Sequence, residues 1–164
     1  MTSDSVEVFN KSVNLIDYSM TELRRVAHNM MPESLLRFGL NESLRDFCET
    51  LTTDQLKVKY ISLNAEDRFD SAKEIVAYRT IQELITNALK HAHASQLLIQ
   101  LSREETLVTI TVEDNGRGFD PTSLKTSKGA GWTNIYSRID YLKGKIELDS
   151  KPGSGTSVTL EFYV

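Results

Sequence analysis

Four short groups of residues carry side chains able to bind charge or move protons. The first is Glu83-x-x-x-Asn87, followed by Lys90 and His91. Residues four apart share one face of a helix, so Glu83 and Asn87 can reach a common point. An amide oxygen is a neutral ligand suited to magnesium, a hard cation that keeps several waters and takes phosphate oxygens. A carboxylate beside it can orient one of those waters or accept a proton. Lys90 and His91, a turn later, can meet phosphates. Taken alone, the same residues also describe a polar stripe on a surface helix.

The second group is Asp114-Asn115-Gly116-Arg117-Gly118. Its glycines let the backbone take positive φ and approach a ligand closely. A carboxylate at a strand end can accept a hydrogen bond from an exocyclic amine such as that of adenine. As a bare pattern, Asn-Gly is equally an ordinary turn. The third group, Gly129-Ala130-Gly131, opens a helix, where free backbone amides and the helix dipole favour phosphate; a plain linker would read the same way. In the fourth, Gly153-Ser154-Gly155-Thr156, the threonine hydroxyl can serve a base directly or through water, or the segment is only a hairpin turn.

The elements that must position these groups follow from hydrophobic periodicity. Apolar residues at Val6, Phe9, Val13, Ile16, Met20, Leu23, Ala27 and Met30 step by three and four, a seam that an amphipathic helix packed on its own domain could also show, but whose heptad regularity favours a dimeric helical bundle. Pro32 ends or kinks that helix, Gly39 offers a turn, and Asn41 caps a second helix over 42–51. A period of two predicts a strand over 56–63. A helix is predicted over 72–91, strands over 96–102 and 107–113 joined by the turn Arg103-Glu104-Glu105, a helix over 132–142, and strands over 145–150 and 156–164. This alternation predicts an α+β protein built as a two-layer α/β sandwich.

Order and spacing bind the four groups together. Glu-x-x-x-Asn on a helix, strand then Asp-x-Gly-x-Gly, Gly-x-Gly then helix, and Gly-Thr then strand resemble the N, G1, G2 and terminal threonine boxes of the gyrase, heat-shock chaperone, histidine kinase and MutL ATPases. The resemblance runs from about residue 72 to the C-terminus. "QELITNALKHAHAS", "VEDNGRGFD", "GAGWTNIYSRI" and "GSGTSVTLEF" are similar specifically to sensor histidine kinases of the nitrate-sensor-like subfamily. The resemblance implies the Bergerat ATP-binding fold over 56–164, preceded over 1–55 by the end of a helical dimerisation domain and a connecting helix. It implies that Asn87 ligates Mg2+ and that Glu83 assists as a polar or basic group. Asp114 would bind the adenine amine, with Gly116 and Gly118 shaping its loop. Gly129 and Gly131 would border the phosphates of ATP, beside Lys90 and His91, and Thr156 would support the base. Trp132 stands where such sequences commonly carry leucine, and the stretch from Phe119 to Gly131 is short for an ATP lid.

The resemblance also bears on the phosphoacceptor. His28 lies in "RRVAHNMMPESL", which looks like a His-x-x-x-Pro box, but Asn29 follows where acceptors are followed by Asp or Glu, and Asn cannot act as that base. The segment resembles the end of a second dimerisation helix, so His28 is read as structural and the acceptor is expected upstream, with a response regulator as the later phosphate acceptor and a homodimer formed through the N-terminal helical segment. His93 reads as a surface residue. A serine kinase of the anti-sigma-factor class shares the fold and is the alternative, but it has no need of the heptad seam.

Bulk properties agree with a folded binding domain. The chain has 164 residues, 40% of them hydrophobic and 26% charged, which places it among globular rather than disordered chains. A net charge of −4 argues against nucleic acid as a partner. No apolar run approaches the ~20 residues that span a bilayer, so no membrane contact by this chain and a cytoplasmic setting are expected, which leaves room for an inner-membrane anchor elsewhere in a parent protein. The single cysteine, Cys48, falls among Leu44, Phe47 and Leu51 and reads as a small buried hydrophobe.

Overall fold

A computed structural model describes residues 12–13, 33–125 and 130–164. Most of the heptad seam, His28 and Gly129 therefore lie outside the described residues. Ser34–Val164 form one compact unit. Its elements are α1 (Glu33–Leu51), β1 (Lys57–Leu63), α2 (Ser71–Asn87), which runs on as a π-helical turn over Ala88–Ala92, β2 (Gln96–Glu104), β3 (Leu107–Asp114), a 3-10 turn (Pro121–Lys125), α3 (Ala130–Tyr141), β4 (Lys145–Ser150) and β5 (Thr156–Tyr163).

The strands form one sheet in the order β1-β2-β3-β5-β4. β1 and β2 are parallel, and the other neighbours are antiparallel. A parallel pair cannot be closed by a hairpin, so the chain must cross over between β1 and β2, and α2 is that crossover. The β2–β3 turn is Glu105-Thr106 in place of Arg103-Glu104-Glu105, because β2 runs two residues further than the sequence suggests, and Glu105 has φ 52°.

Alternation decides which face of the sheet is covered. Leu97, Ile99 and Leu101 on β2, Val108, Ile110 and Val112 on β3, and Val158, Leu160 and Phe162 on β5 are buried. Ala77, Ile81, Leu84 and Ile85 of α2, and Ile135 and Ile139 of α3, join them in the same core. Each of the Val, Leu, Ile and Phe side chains among them contributes roughly 1.5–3 kcal/mol by leaving water. The intervening residues, such as Gln100, Glu113 and Glu161, are exposed, and Thr111 and Thr159 share a hydrogen bond of 3.1 Å on that polar face. Two layers follow because only one face is apolar.

α1 differs from its sequence expectation. Helical residues begin at Glu33 rather than Glu42, and Gly39, at φ 84° and ψ −174°, interrupts them. The cause lies far along the chain. The Arg68 guanidinium donates to the Leu36 and Leu35 carbonyls at 3.1 and 3.4 Å, satisfying groups that the interruption frees. It also pairs with the buried Glu74 carboxylate at 2.7 Å. A side chain at position 39 would strike Arg68, so glycine serves both the turn and the packing.

α1 buries Leu40, Leu44, Phe47 and Cys48. The Phe47 and Tyr78 rings lie 6.2 Å apart, and the Tyr60 hydroxyl donates to Asn41 Oδ1 at 2.8 Å. Burial pushes the Cys48 thiol up to about 12, so it is uncharged at neutral pH. No described helix is long and apolar enough to cross a membrane.

Candidate functional site

α2 starts at the Asp70 cap, whose carboxylate accepts from Lys73 N, and it carries Glu83 and Asn87 one turn apart. After Asn87 the winding widens into the π-helical turn, which ends at His93 in a left-handed conformation. Local π winding is frequent at functional sites. A wider turn takes more residues, so His91, four beyond Asn87, lines the same cleft, whereas Lys90 does not. Both are exposed.

β3 delivers Asp114 at its last residue. The loop that follows is held at both ends. Asn115 Oδ1 accepts from the backbone amides of Ser95 and Gln96 at 3.0 and 2.9 Å, and its Nδ2 donates to Ser95 Oγ at 3.0 Å. The Arg117 amide donates to the Ala92 carbonyl at 2.8 Å, which ties the loop to the π turn. Gly116 packs against Ala92 so closely that a side chain there would strike the Ala92 carbonyl. The Gly116 amide in turn donates to Asp114 Oδ1 at 2.8 Å.

The cleft between these elements has a volume of about 360 Å3, within the range usual for small-molecule sites. Of the sequence-derived residues, Asn87, His91, Asp114, Gly118, Gly131 and Thr156 line it. Glu83 and Gly116 are not among its lining residues. A side chain on Gly131 would come within 2.8 Å of Glu83 Oε1 and 3.7 Å of the Asn87 amide, so the start of α3 lies on the Glu83–Asn87 face of α2.

Much of the cleft lining is apolar, with one buried acid. Asp114 is 8% exposed. Burial raises its pKa above the usual carboxylate value, and hydrogen bonds from Gly116 and Thr156 partly offset that. The cleft is also lined by residues that motif reading passed over, Leu84, Ala88, Val112 and Val158 from the core and Phe119 and Leu124 from the loop, and by Trp132 at the start of α3. The core members were visible as inward positions of their elements, but nothing local marked them as cleft wall. Trp132 lies 6.4 Å from the Phe119 ring and 6.1 Å from Tyr136. The cleft therefore combines amide and backbone groups suited to phosphate and a cation with apolar walls around a buried acceptor.

Gly155 and Gly118 close the slot from behind. Gly155 has φ 75°, and a side chain there would strike the Asp114 carbonyl; Gly118 has φ 56°, and a side chain would strike the Lys151 carbonyl. Gly155→Ala combines positive φ with that overlap and is expected to destabilise the fold by about 2 kcal/mol, read as a lower denaturant midpoint at unchanged slope.

Asn87 Nδ2 is buried and without a hydrogen-bond partner among the described residues. Such an atom costs free energy unless something pairs with it, so its position fits a bound polar group. The neutral amide of Asn87 and the nearby carboxylate of Glu83 are oxygen donors of the kind magnesium accepts.

Comparison with known proteins places this geometry. The model of a family described as "Histidine kinase-, DNA gyrase B-, and HSP90-like ATPase" matches residues 72–164. The signal transduction histidine-protein kinase/phosphatase DegS of Brevibacillus brevis is 29% identical over 151 residues, covering 92% of this chain and 39% of that protein. The oxygen sensor histidine kinase NreB of Staphylococcus carnosus (strain TM300) is 30% identical over 141 residues, covering 85% and 41%. The chain thus spans about two fifths of the length of these curated relatives. Among solved structures, the histidine kinase domain from the Erythrobacter litoralis EL346 blue-light activated histidine kinase aligns with a TM-score of 0.62 at 20% identity, over 76% of this chain and 60% of that one, a likeness of fold.

Proposed function

The chain belongs to the histidine kinase-, DNA gyrase B-, and HSP90-like ATPase family, and we propose that it is the ATP-binding catalytic portion of a two-component sensor histidine kinase. In this reading residues 56–164 hold MgATP, and residues 1–55 supply the end of a dimerisation domain with α1 as its connecting helix. The γ-phosphoryl passes to a histidine outside this chain and then to an aspartate of a response regulator. One juxtaposition carries the reading: Asn87, with its unpaired amide nitrogen, and Gly131, beside Glu83, line the same cleft as the buried Asp114.

The chain's own groups divide the work. Asp114 accepts from the exocyclic amine of adenine, with Thr156 supporting the base and Gly116 and Gly118 shaping the loop. The apolar walls exclude water from the ring. The backbone amide of Gly131 serves the phosphates, a role the motif also gives to Gly129, with His91 beside the cleft and Lys90 on the exposed side of the same turn. Asn87 holds the cation. Mg2+, when bound, neutralises charge on the phosphate oxygens. Glu83 orients a ligand water or accepts a proton. Since phosphoryl transfer demands little covalent chemistry from the protein, positioning and electrostatics are what this cleft contributes.

A labelling experiment tests this. Mixed with γ-labelled ATP, Mg2+ and a histidine-bearing dimerisation domain from a sensor kinase, the protein is expected to place acid-labile, base-stable phosphate on that domain and none on itself. Acid-stable label on serine would replace this reading with a serine kinase of the anti-sigma-factor class. Acid-labile label on His28 would overturn the placement of the acceptor outside the chain.

A further inference from the structure

The apolar lining of the cleft divides by how much of it protein already covers. Leu84, Val112 and Val158 are buried in the core. Phe119, Leu124 and Trp132 are only half-buried. The apolar surface that a ligand can still cover therefore belongs mainly to these three side chains, and the indole is the largest of them. Trp132 is also the only tryptophan in the chain.

Neighbours hold the indole in place. Tyr136 follows Trp132 by four residues on α3, the spacing that brings side chains together on one helix face, and the two rings lie 6.1 Å apart. The Phe119 ring, from the loop after β3, lies 6.4 Å away at an interplanar angle of 57°. Phe119 is itself anchored, since its backbone amide donates to Ser150 Oγ at 2.9 Å. Trp132 also packs against the hydrophobic core. A ring fixed in this way loses little freedom when a ligand lands on it. An indole used only for packing would be covered by protein, whereas this one keeps part of its surface at the cleft.

We propose that Trp132 is a base-binding residue, its indole stacking on the ring system of the nucleotide. This rests on the reading of the cleft as an adenine nucleotide site and adds a separate component to it. Asp114 reads the exocyclic amine, and Trp132 covers the ring whatever its substituents, because every base has a π face. An uncharged apolar ring offers a phosphate little, so the base is the part of the ligand it fits.

The test is equilibrium binding of the whole chain to the magnesium complexes of three compounds. These are ATP, purine riboside triphosphate, which keeps the ring and lacks the 6-amine, and ribose 5-triphosphate, which lacks the base. Trp132→Ala is expected to shrink the preference for either base-bearing nucleotide over ribose triphosphate about tenfold, within the usual range for base–aromatic stacking. Trp132→Phe, which keeps a ring, should recover most of that preference, and Trp132→Leu, which keeps only apolar bulk, should not. An unchanged preference in Trp132→Ala, including one where all three affinities fall together, would overturn the proposal, as would full recovery by leucine. Should the alanine variant fail to fold, the leucine and phenylalanine variants give the same comparison. The wild type supplies a measurement that needs no variant. At saturation, tryptophan emission should change with both base-bearing nucleotides and far less with ribose triphosphate; equal responses would overturn the stacking. The two layers of inference also separate. If the wild type binds ribose triphosphate as tightly as ATP, the adenine reading itself has failed; if it prefers the base-bearing nucleotides and Trp132→Ala keeps that preference, only the role of Trp132 has.

Discussion

Asp114→Asn is expected to lower ATP affinity roughly 100-fold, the cost of losing a hydrogen bond to a charged group in a water-poor slot and leaving a mismatch. The Gly116 amide already donates to Oδ1. An asparagine keeps that bond by placing its oxygen there, and so turns its NH2 group toward the place where the base amine would donate. Donor then meets donor. The substitution should not harm the fold. Burial raises the Asp114 pKa, so the folded protein holds this proton more tightly than the unfolded chain does. Charging the group is therefore a cost to stability, fully present above the folded pKa and relieved as pH falls from there toward the unfolded value. Asparagine removes that cost. The variant should melt no lower than the wild type at neutral pH, with any advantage fading in acid. In the wild type, ATP binding should weaken as pH falls through the raised pKa, while the weak binding of the variant stays level. Calorimetric titrations across the acid range, paired with melts, check both. Unchanged affinity at neutral pH would remove adenine from the cleft.

Much of this was legible because it is local. A period of two marked β2, β3 and β5 to within two residues, and the wide apolar face of α2 marked the long helix. Gly116, Gly118 and Gly155 stand where main chains cross with no room for a side chain, which is why their spacing is informative. What local patterns missed depends on partners distant in sequence. α1 begins nine residues early because Arg68 satisfies the carbonyls of Leu35 and Leu36. The π turn over Ala88–Ala92 has an unremarkable helical composition, yet it brings His91 to the cleft and leaves Lys90 outside.

Asn87→Ala should instead separate binding from chemistry. Asp114 and the apolar walls are untouched, so a nucleotide without metal should bind the variant nearly as well as the wild type. With Mg2+ present, the wild type is expected to gain affinity and the variant to gain little. Phosphoryl transfer should fall further, by about two orders of magnitude or more, because a misplaced cation forfeits charge neutralisation worth several kcal/mol. Asn87 also carries a buried amide nitrogen with no partner among the described residues. Removing that nitrogen should leave stability unchanged or slightly higher without nucleotide, since an unpaired buried donor is a cost. A purely structural asparagine would behave in the opposite way, with lower stability and an unaltered response to Mg2+. Titrations with and without chelator, melts of the free protein and single-turnover transfer rates distinguish the two. If the magnesium-dependent increment survives in Asn87→Ala, the cation is held elsewhere, and the pairing of Glu83 with Asn87 on one helical face is only packing.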